Sequence, residues 1–291
     1  MTPVGSPPIP FAALDSDAPV FEDRTPVVFI HGLWLHSTSW DPWLELFQER
    51  GYAPWAPGWP GEPDSLPAAN AFPEPMAGTG VAEALSHYEG LIRRLPRPPV
   101  LVGHSFGGLL AQQLLARRLA AGAVAVAPVQ FRGVLRLPPV QLASLLPVLR
   151  NPRNVHTIVR QTPQRFRRNF ANAVSERESY DLHATCVMPA PGRPLFQAAA
   201  ANLNPRTAVR VDTAAARGPL LLVGAGRDRV VPASVVRAAA RRYRSSASVT
   251  EYAELEGSGH SLVIDHGWQI LAEAVLGFLN RHGLSPEPAD G

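Results

Sequence analysis

Short apolar runs alternate with stretches of helical periodicity along most of the chain. Residues 26–30 are apolar throughout, which predicts a buried strand, whereas residues 38–50 repeat large apolar side chains at the spacing of one helix face. The alternation is typical of a mostly parallel central sheet with helices on both faces, an α/β fold. The predicted strands are residues 26–30, 52–56, 99–102, 123–129, 219–224 and 248–254, and the predicted helices are residues 38–50, 79–95, 109–120, 234–244 and 268–280.

One long segment interrupts this alternation. Residues 131–206 contain several prolines and short amphipathic stretches but no convincing strand. We interpret them as a helical cap, inserted between two strands and lying over one end of the sheet. The core is then formed by residues 1–130 and 207–284. Within the core, the proline-rich residues 1–20 are expected to be an irregular arm. Residues 285–291, which follow the core, are expected to be a disordered tail.

Charge and composition narrow the possible chemistry. Hydrophobic residues make up 46% of the 291 residues and charged residues 18%, so the chain can bury a sizeable core. The net charge is +3, and all 27 basic residues are arginine, which excludes a Schiff-base mechanism or a lysine general base. Because the arginines are spread along the chain, we expect no nucleic-acid partner.

Nothing in the hydropathy pattern predicts export or membrane insertion. Residues 1–20 lack a charged region followed by an apolar core, so no signal peptide is expected. No apolar run approaches the roughly 20 residues that span a bilayer. Cys186 is the single cysteine and is interpreted as a small buried apolar side chain, with no disulfide within the chain. We therefore expect a cytoplasmic protein with no membrane partner.

The candidate chemistry centres on the segment Gly103-His104-Ser105-Phe106-Gly107-Gly108. It follows a predicted strand and precedes a predicted helix, so Ser105 lies at the apex of a tight turn. Glycines on both sides of the serine give such a turn the room that it needs. The pattern Gly-x-Ser-x-Gly is weak by itself, and a serine that caps a helix is the alternative interpretation. Its position between strand and helix favours a nucleophile.

Together, four motifs resemble those of capped α/β-hydrolases, in the serine esterase and C–C hydrolase branch. The resemblance spans nearly the whole chain and implies the chain order nucleophile, acid, histidine, which Ser105, Asp228 and His260 follow. It also implies an oxyanion hole made by the backbone N–H groups of Leu33 and Phe106. The motifs are Phe29-Ile30-His31-Gly32-Leu33-Trp34, Gly103-His104-Ser105-Phe106-Gly107-Gly108, Gly224-Ala225-Gly226-Arg227-Asp228 and Gly257-Ser258-Gly259-His260.

Two departures from this family leave the edge of the sheet open. The loop after the second strand often carries an aspartate where this chain has Gly58-Trp59-Pro60-Gly61, and the segment before the first parallel strand is short. Neither departure touches the triad. Ser105 in turn excludes the dehalogenases and epoxide hydrolases of this fold, which use aspartate as nucleophile.

Several assignments have alternatives. Asp212 or Asp265 could supply the acid instead of Asp228, and His260 could be an ordinary loop histidine. Other titratable side chains have structural interpretations. His31 is expected to order the oxyanion loop, His104 to fill space at the turn, and the pair Asp181 and His183 to lie in the cap without a nucleophile.

Substrate hints are few. Trp34 and Phe106 are expected to line the substrate pocket, which predicts an apolar or aromatic small molecule. Trp40 and Trp43 are expected to fill the core. The cap arginines either attract an anionic substrate or form a solvated face. No metal-ligand spacing and no phosphate-binding glycine loop is found, so no metal and no cofactor are expected.

These observations predict a cofactor-free serine hydrolase that cleaves a carboxylic ester through an acyl-enzyme intermediate. Two alternatives stay open. The same triad could perform C–C bond hydrolysis or perhydrolysis, or the chain could be a hydrolase-fold receptor for a small ligand with little turnover. The oligomeric state is left open.

Overall fold

A computed structural model describes residues 24–286 of the chain. The predicted irregular arm and all but the first two residues of the predicted disordered tail lie outside the described residues. The predicted core from residue 24 onward and the whole predicted cap lie within the described residues.

The centre of the molecule is a six-stranded sheet. Its strands, in their order across the sheet, are β2 (Ala53–Trp55), β1 (Pro26–Ile30), β3 (Val100–His104), β4 (Gly122–Val126), β7 (Leu220–Ala225) and β8 (Thr250–Leu255). All five neighbouring pairs of these strands are parallel, which confirms the predicted fold class. A second sheet is a two-stranded antiparallel ribbon, in which β5 (Ile158–Val159) pairs with β6 (Ala190–Pro191).

Helices follow the strands as the periodicity predicts. Single turns of 3₁₀-helix occur at Ser37–Trp40, Glu74–Met76, Pro152–Val155 and Arg241–Tyr243. A π-helical segment, Phe166–Phe170, directly follows the short helix Pro163–Arg165. None of the described helices is long and apolar enough to cross a membrane. The α-helices are α1 (Asp41–Glu49), α2 (Leu66–Ala71), α3 (Val81–Ile92), α4 (Phe106–Ala116), α5 (Pro139–Leu149), α6 (Pro163–Arg165), α7 (Glu176–Cys186), α8 (Arg193–Ala199), α9 (Ala233–Ala240) and α10 (Trp268–Arg281).

The main core lies between the sheet and its helices. Strands β1, β3, β4 and β7 are buried along their whole length, as continuous apolar runs in a parallel sheet should be. Trp40 and Trp43 pack around Phe29, with ring centroids 5.1 and 5.9 Å from it, and are 1% and 0% exposed. Both tryptophans therefore fill the core, as expected.

The segment from residue 131 to 206 departs from its prediction in one respect. It contains α5 to α8, as a helical cap should, but also the ribbon of β5 and β6, where no strand was expected. Each of these strands has only two residues, too few to produce an alternating pattern in the sequence. Similarly, the region between β2 and α3, expected to be a loop, contains α2.

Candidate active site

Ser105 lies between β3 and α4 with φ at +56° and ψ at −116°. A non-glycine residue with positive φ is strained by roughly 1–3 kcal/mol, and surrounding structure must hold it there. The backbone does so on both sides. Ser105 N donates to the carbonyl oxygen of Val126 at 2.9 Å, and Ser105 O accepts from Val129 N at 3.1 Å. The turn thus holds the serine at the carboxyl end of the sheet.

The glycines of this turn have a steric reason. A Cβ on Gly107 would lie 1.9 Å from the carbonyl oxygen of Ile30, and one on Gly103 would lie 2.2 Å from the carbonyl oxygen of Gly107. Both contacts are with backbone atoms, which cannot move aside as a flexible side chain could. Helix α4 therefore approaches β1 and β3 at a distance that only glycine allows.

Asp228 and His260 meet at the same end of the sheet. His260 Nδ1 donates to Asp228 Oδ2 at 2.6 Å, and both side chains are at most 1% exposed. The second carboxylate oxygen, Oδ1, accepts from the backbone N–H groups of Val230 and Val231 at 2.7 and 2.8 Å. The carboxylate is thus fixed on both sides, and it directs Nε2 of the imidazole away from itself.

Ser105 is linked to this pair through its neighbour His104. The His104 Nε2–H group donates to the carbonyl oxygen of His260 at 3.0 Å, and the two rings are 4.6 Å apart between centroids. Within residues 24–286, no hydrogen bond joins Ser105 Oγ to the His260 ring. The structure therefore brings Asp228 and His260 into contact, and the residue before Ser105 contacts the same histidine. Burial and the neighbouring histidines lower the pKa of His104 well below its ordinary value, so this ring is neutral.

The alternative acids lie elsewhere. Asp265 accepts from Ser261 Oγ at 2.7 Å and from Gly267 N at 3.1 Å, so it braces the turn after His260. Asp212 is exposed to solvent, and it accepts from Ala214 N at 3.1 Å.

The acid–histidine pair suggested for the cap does not form. His183 Nε2 donates to the carbonyl oxygen of Gln161 at 3.0 Å, and Asp181 lies 3.8 Å from Arg177. Cys186 is half-buried, and burial raises the pKa of its thiol.

The loop after β1 passes directly beside the serine. A Cβ on Gly32 would lie 2.6 Å from Ser105 Cβ and 3.2 Å from Ser105 Oγ. Leu33 follows, and Trp34 has φ at +70°, a second strained non-glycine residue at this site. Phe106, the other residue expected to supply an N–H group, is the first residue of α4.

One charged residue of this region, Glu62, was not predicted from the sequence. Its carboxylate is 1% exposed and lies 2.7 Å from His31 Nε2 and 3.5 Å from His36 Nε2. Burial alone would raise the pKa of Glu62, but the adjacent His31 imidazole and the hydrogen bond from Ser37 N outweigh it and lower this pKa to about 2. The same carboxylate raises the pKa of His31, against the lowering effect of burial. The sequence carried no signal for Glu62, because its loop shows no periodicity.

Residues 131–206, which we interpret as a cap, contact both parts of the candidate site. Phe170, in the π-helical segment, packs edge-on against His260 with centroids 4.6 Å apart, and its carbonyl oxygen accepts from Ser261 N at 3.0 Å. At the other side, Met188 N donates to the carbonyl oxygen of Trp34 at 2.9 Å, and His36 N donates to that of Cys186 at 3.1 Å. A π-helical segment at such a place is common in functional sites.

A small cleft with a free volume of about 30 Å³ lies between residues 131–206 and the sheet. Trp34 lines this cleft, and Trp34 Nε1 donates to the carbonyl oxygen of Val159 at 3.1 Å. The Phe106 side chain is 2% exposed and packs against Trp59, so it does not line this cleft. Other lining residues are Leu145, Val148, Val159, Arg160, Arg165 and Val230. No group of three histidine, cysteine or carboxylate side chains in the described part of the chain could hold a metal ion.

Comparison with known proteins gives a consistent picture. A sequence model of the alpha/beta hydrolase family matches residues 27–274. No curated protein sequence matches the chain. Among solved structures, the monoacylglycerol lipase of Paleococcus ferrophilus aligns with a TM-score of 0.61 and 21% identity, over 89% of this chain and 95% of that one.

Two further structures agree with this similarity. The Arabidopsis methylesterase MES16 has a TM-score of 0.59 and 19% identity, over 88% of this chain and 99% of that one. An extracellular alpha/beta-hydrolase from a Paenibacillus species has a TM-score of 0.65 and 16% identity, over 87% of this chain and 98% of that one. At these identities the similarity shows a shared fold.

Proposed function

Because the chain belongs to the alpha/beta hydrolase family, we propose that it is a serine hydrolase that cleaves a carboxylic ester of a small apolar or aromatic molecule, without a cofactor. The observation that carries this proposal is the buried contact of 2.6 Å between Asp228 and His260, together with a serine held at positive φ whose neighbour His104 contacts His260. Nucleophilic catalysis by serine needs a base that a third group orients, and the Asp228–His260 contact supplies an oriented imidazole. The descriptions of two similar structures name a lipase and a methylesterase, which supports an ester substrate.

The proposed reaction assigns one role to each residue. Ser105 Oγ attacks the ester carbonyl carbon while His260 Nε2 accepts its proton. Asp228 keeps the other imidazole proton on Nδ1 and stabilises the imidazolium. The N–H groups of Leu33 and Phe106 donate to the oxygen that becomes negative; losing one such donor typically costs about 100- to 1000-fold in rate.

Collapse of the tetrahedral intermediate gives the acyl-enzyme. His260 returns its proton to the leaving alcohol, and the acyl group stays on Ser105. Water then attacks with the same base, and Ser105 is regenerated. The cleft beside Trp34 offers an apolar wall for part of the substrate, since Leu145, Val148 and Val159 line it.

The test combines turnover with labelling of the serine. The protein is assayed with 4-nitrophenyl esters of increasing acyl length and treated with a fluorophosphonate probe. Ser105→Ala should abolish labelling and lower kcat by about a millionfold. Ser86→Ala, an exposed serine on α3, serves as the control and should change neither. Labelling of another serine, or full turnover by Ser105→Ala, contradicts the proposal. Ligand binding without turnover points to the receptor alternative.

A further inference from the structure

The loop between β2 and α2 buries a full negative charge next to the proposed oxyanion hole. The Glu62 side chain is 1% exposed, and a carboxylate removed from water is costly unless it is paired and hydrogen-bonded. Gly58 leaves room for it, since a Cβ at that position would lie 2.8 Å from Glu62 Cδ. A charge buried at such a cost, in a loop that could expose it, calls for a physical explanation.

The two carboxylate oxygens hold two different segments of chain. Oε2 lies 2.7 Å from His31 Nε2 and accepts from Trp59 N at 3.1 Å. Oε1 accepts from Ser37 N at 2.9 Å and lies 3.5 Å from His36 Nε2. His31 and Ser37 are the two ends of the loop that follows β1. One carboxylate thus joins the beginning of that loop to its end.

The oxygen atoms that face the two ring nitrogens of His31 indicate that its imidazole carries two protons. Nδ1 lies 2.8 Å from the carbonyl oxygen of Gly32, which can only accept. Nε2 lies 2.7 Å from a Glu62 carboxylate oxygen, at the distance of an ion pair though without the alignment of a hydrogen bond. A nitrogen lone pair facing either oxygen would be repelled. His31 is therefore a buried imidazolium, in agreement with its raised pKa.

His36 has the opposite character. Its Nδ1 accepts from Thr38 N at 3.2 Å, so this nitrogen carries no proton. Its Nε2 donates to the carbonyl oxygen of Pro63 at 3.0 Å. The neutral ring leaves Glu62 and His31 as one pair of opposite charges, closed off from water.

We propose that Glu62 is a positioning residue of the oxyanion hole: through His31 at one end and the backbone N–H of Ser37 at the other, its carboxylate fixes the loop that carries the N–H group of Leu33. This inference rests on the proposed function. The loop leaves little tolerance for displacement, since Gly32 already lies against Ser105. A donor displaced by about 1 Å can cost on the order of 100-fold in rate.

Glutamine cannot replace this carboxylate. Each oxygen accepts a backbone N–H from a different segment, Trp59 or Ser37, and an amide has only one oxygen. Whichever way the amide turns, its NH₂ group faces an N–H donor. The loss of charge also leaves the His31 imidazolium buried without its partner, so it should release a proton.

The test compares Glu62→Gln with Asp64→Asn, a matched removal of an exposed carboxylate two residues away. On one short 4-nitrophenyl ester, Glu62→Gln should lower kcat by about 10- to 100-fold. Its KM should stay within about threefold, because the oxyanion contact strengthens only in the transition state. The affinity of a boronic acid that forms a tetrahedral adduct should fall in parallel with kcat. Asp64→Asn should match the wild type in all three quantities.

Nuclear magnetic resonance supplies a readout that a merely structural role would not change. In the wild type, both ring nitrogens of His31 should carry protons at pH 7.5, whereas in Glu62→Gln one should be deprotonated. The groups that bear on this titration are Glu62 and the neighbouring histidines His36, His87 and His104, together with Asp41 beside His36.

Folding and the proposed function are controlled separately. Circular dichroism and urea unfolding establish that each variant is folded under assay conditions, and Glu62→Asp provides a variant that keeps the charge but shortens its reach. Glu62→Asp should keep His31 protonated while kcat falls, because one end of the loop is released. The inference is overturned if folded Glu62→Gln keeps kcat within twofold of Asp64→Asn, or loses only affinity for substrate. If the wild type hydrolyses none of the esters faster than Ser105→Ala does, the proposed function itself is contradicted.

Discussion

The proposed catalytic acid, Asp228, differs from the alternative aspartates in the groups that its carboxylate already binds. Asp228 gives one oxygen to His260 and the other to two backbone N–H groups. Asp265 is buried and close to His260 in sequence, but its two carboxylate oxygens accept hydrogen bonds from Ser261 Oγ and Gly267 N. Since each carboxylate has a separate set of donors, the three aspartates can be tested one by one.

Asp228→Asn should lower kcat by about ten-thousandfold, the loss known for the equivalent change in a serine protease. The amide NH₂ must face either the His260 Nδ1–H or the N–H groups of Val230 and Val231, so the imidazole loses its orientation or changes tautomer. Asp265→Asn and Asp212→Asn should cost less than about tenfold, since neither touches the histidine. All three are compared on one ester, with circular dichroism as the control of folding. If Asp228→Asn stays active while Asp265→Asn or Asp212→Asn loses its turnover, Asp228 is not the catalytic acid.

At the scale of residues, the sequence predicts what depends on neighbours along the chain. Ser105, Asp228 and His260 each stand in a glycine-containing motif after a predicted strand. Glu62 stands in no motif, and its importance arises only when folding buries it against His31. Burial of a loop side chain depends on distant segments, so local pattern could not reveal it.

The close approach of α4 to β1 is the main constraint at the scale of elements. Gly107→Ala would put a Cβ 1.9 Å from the carbonyl oxygen of Ile30, so strand and helix must separate. Overpacking of this kind costs typically about 1–3 kcal/mol, and we expect the free energy of unfolding to fall by at least that amount.

Gly90→Ala, on the exposed face of α3, is the matched control because nothing lies within 4 Å of its Cβ position. Alanine suits a helix better than glycine, so this variant should gain about 0.4–1 kcal/mol. Urea unfolding of both variants measures the difference. Equal effects of the two substitutions would show that the contact between α4 and β1 is not tight.

Element boundaries differ from their predictions for local reasons. Helix α4 was expected to continue to about residue 120 but ends at Ala116. Arg118 has φ at +62°, and Leu119 N donates to the carbonyl oxygen of Leu114, which closes the helix with a left-handed turn. Arginine is rare in this conformation, so the sequence gives no warning of it. The cap ribbon was missed because β5 and β6 are separated by about thirty residues of chain and are too short to show a period.

At the scale of the whole molecule, charge is unequally divided between residues 131–206, the proposed cap, and the remainder of the chain. Residues 131–206 contain 11 arginines and 3 acidic residues, a net charge of +8, which leaves −5 for the remainder of a chain with net charge +3. Two of these arginines, Arg160 and Arg165, line the cleft beside Trp34. The field of such a cap should attract an anion toward the site.

This division predicts a salt dependence that differs between substrates. We compare 4-nitrophenyl butyrate with the 4-nitrophenyl hemiester of glutaric acid, which adds a carboxylate to a similar acyl chain. Raising the ionic strength from about 10 to 150 mM shortens the Debye length from roughly 30 to 8 Å, so long-range attraction is largely screened. We expect kcat/KM for the anionic ester to fall about three- to tenfold, and that for the neutral ester to change less than about twofold.

Two variants with equal loss of charge separate the field from a local contact. Arg165→Gln removes an arginine at the cleft, and Arg153→Gln removes one that does not line it. If the cap acts through its total charge, both should reduce the salt dependence for the anionic ester by similar amounts, because a long-range field depends weakly on where one charge lies. If Arg165 binds the carboxylate directly, its variant alone should lower kcat/KM at high salt, where only short-range contacts survive. An anionic ester no more sensitive to salt than the neutral one would mean that the cap arginines are a solvated face, the alternative that their spacing in the sequence allowed.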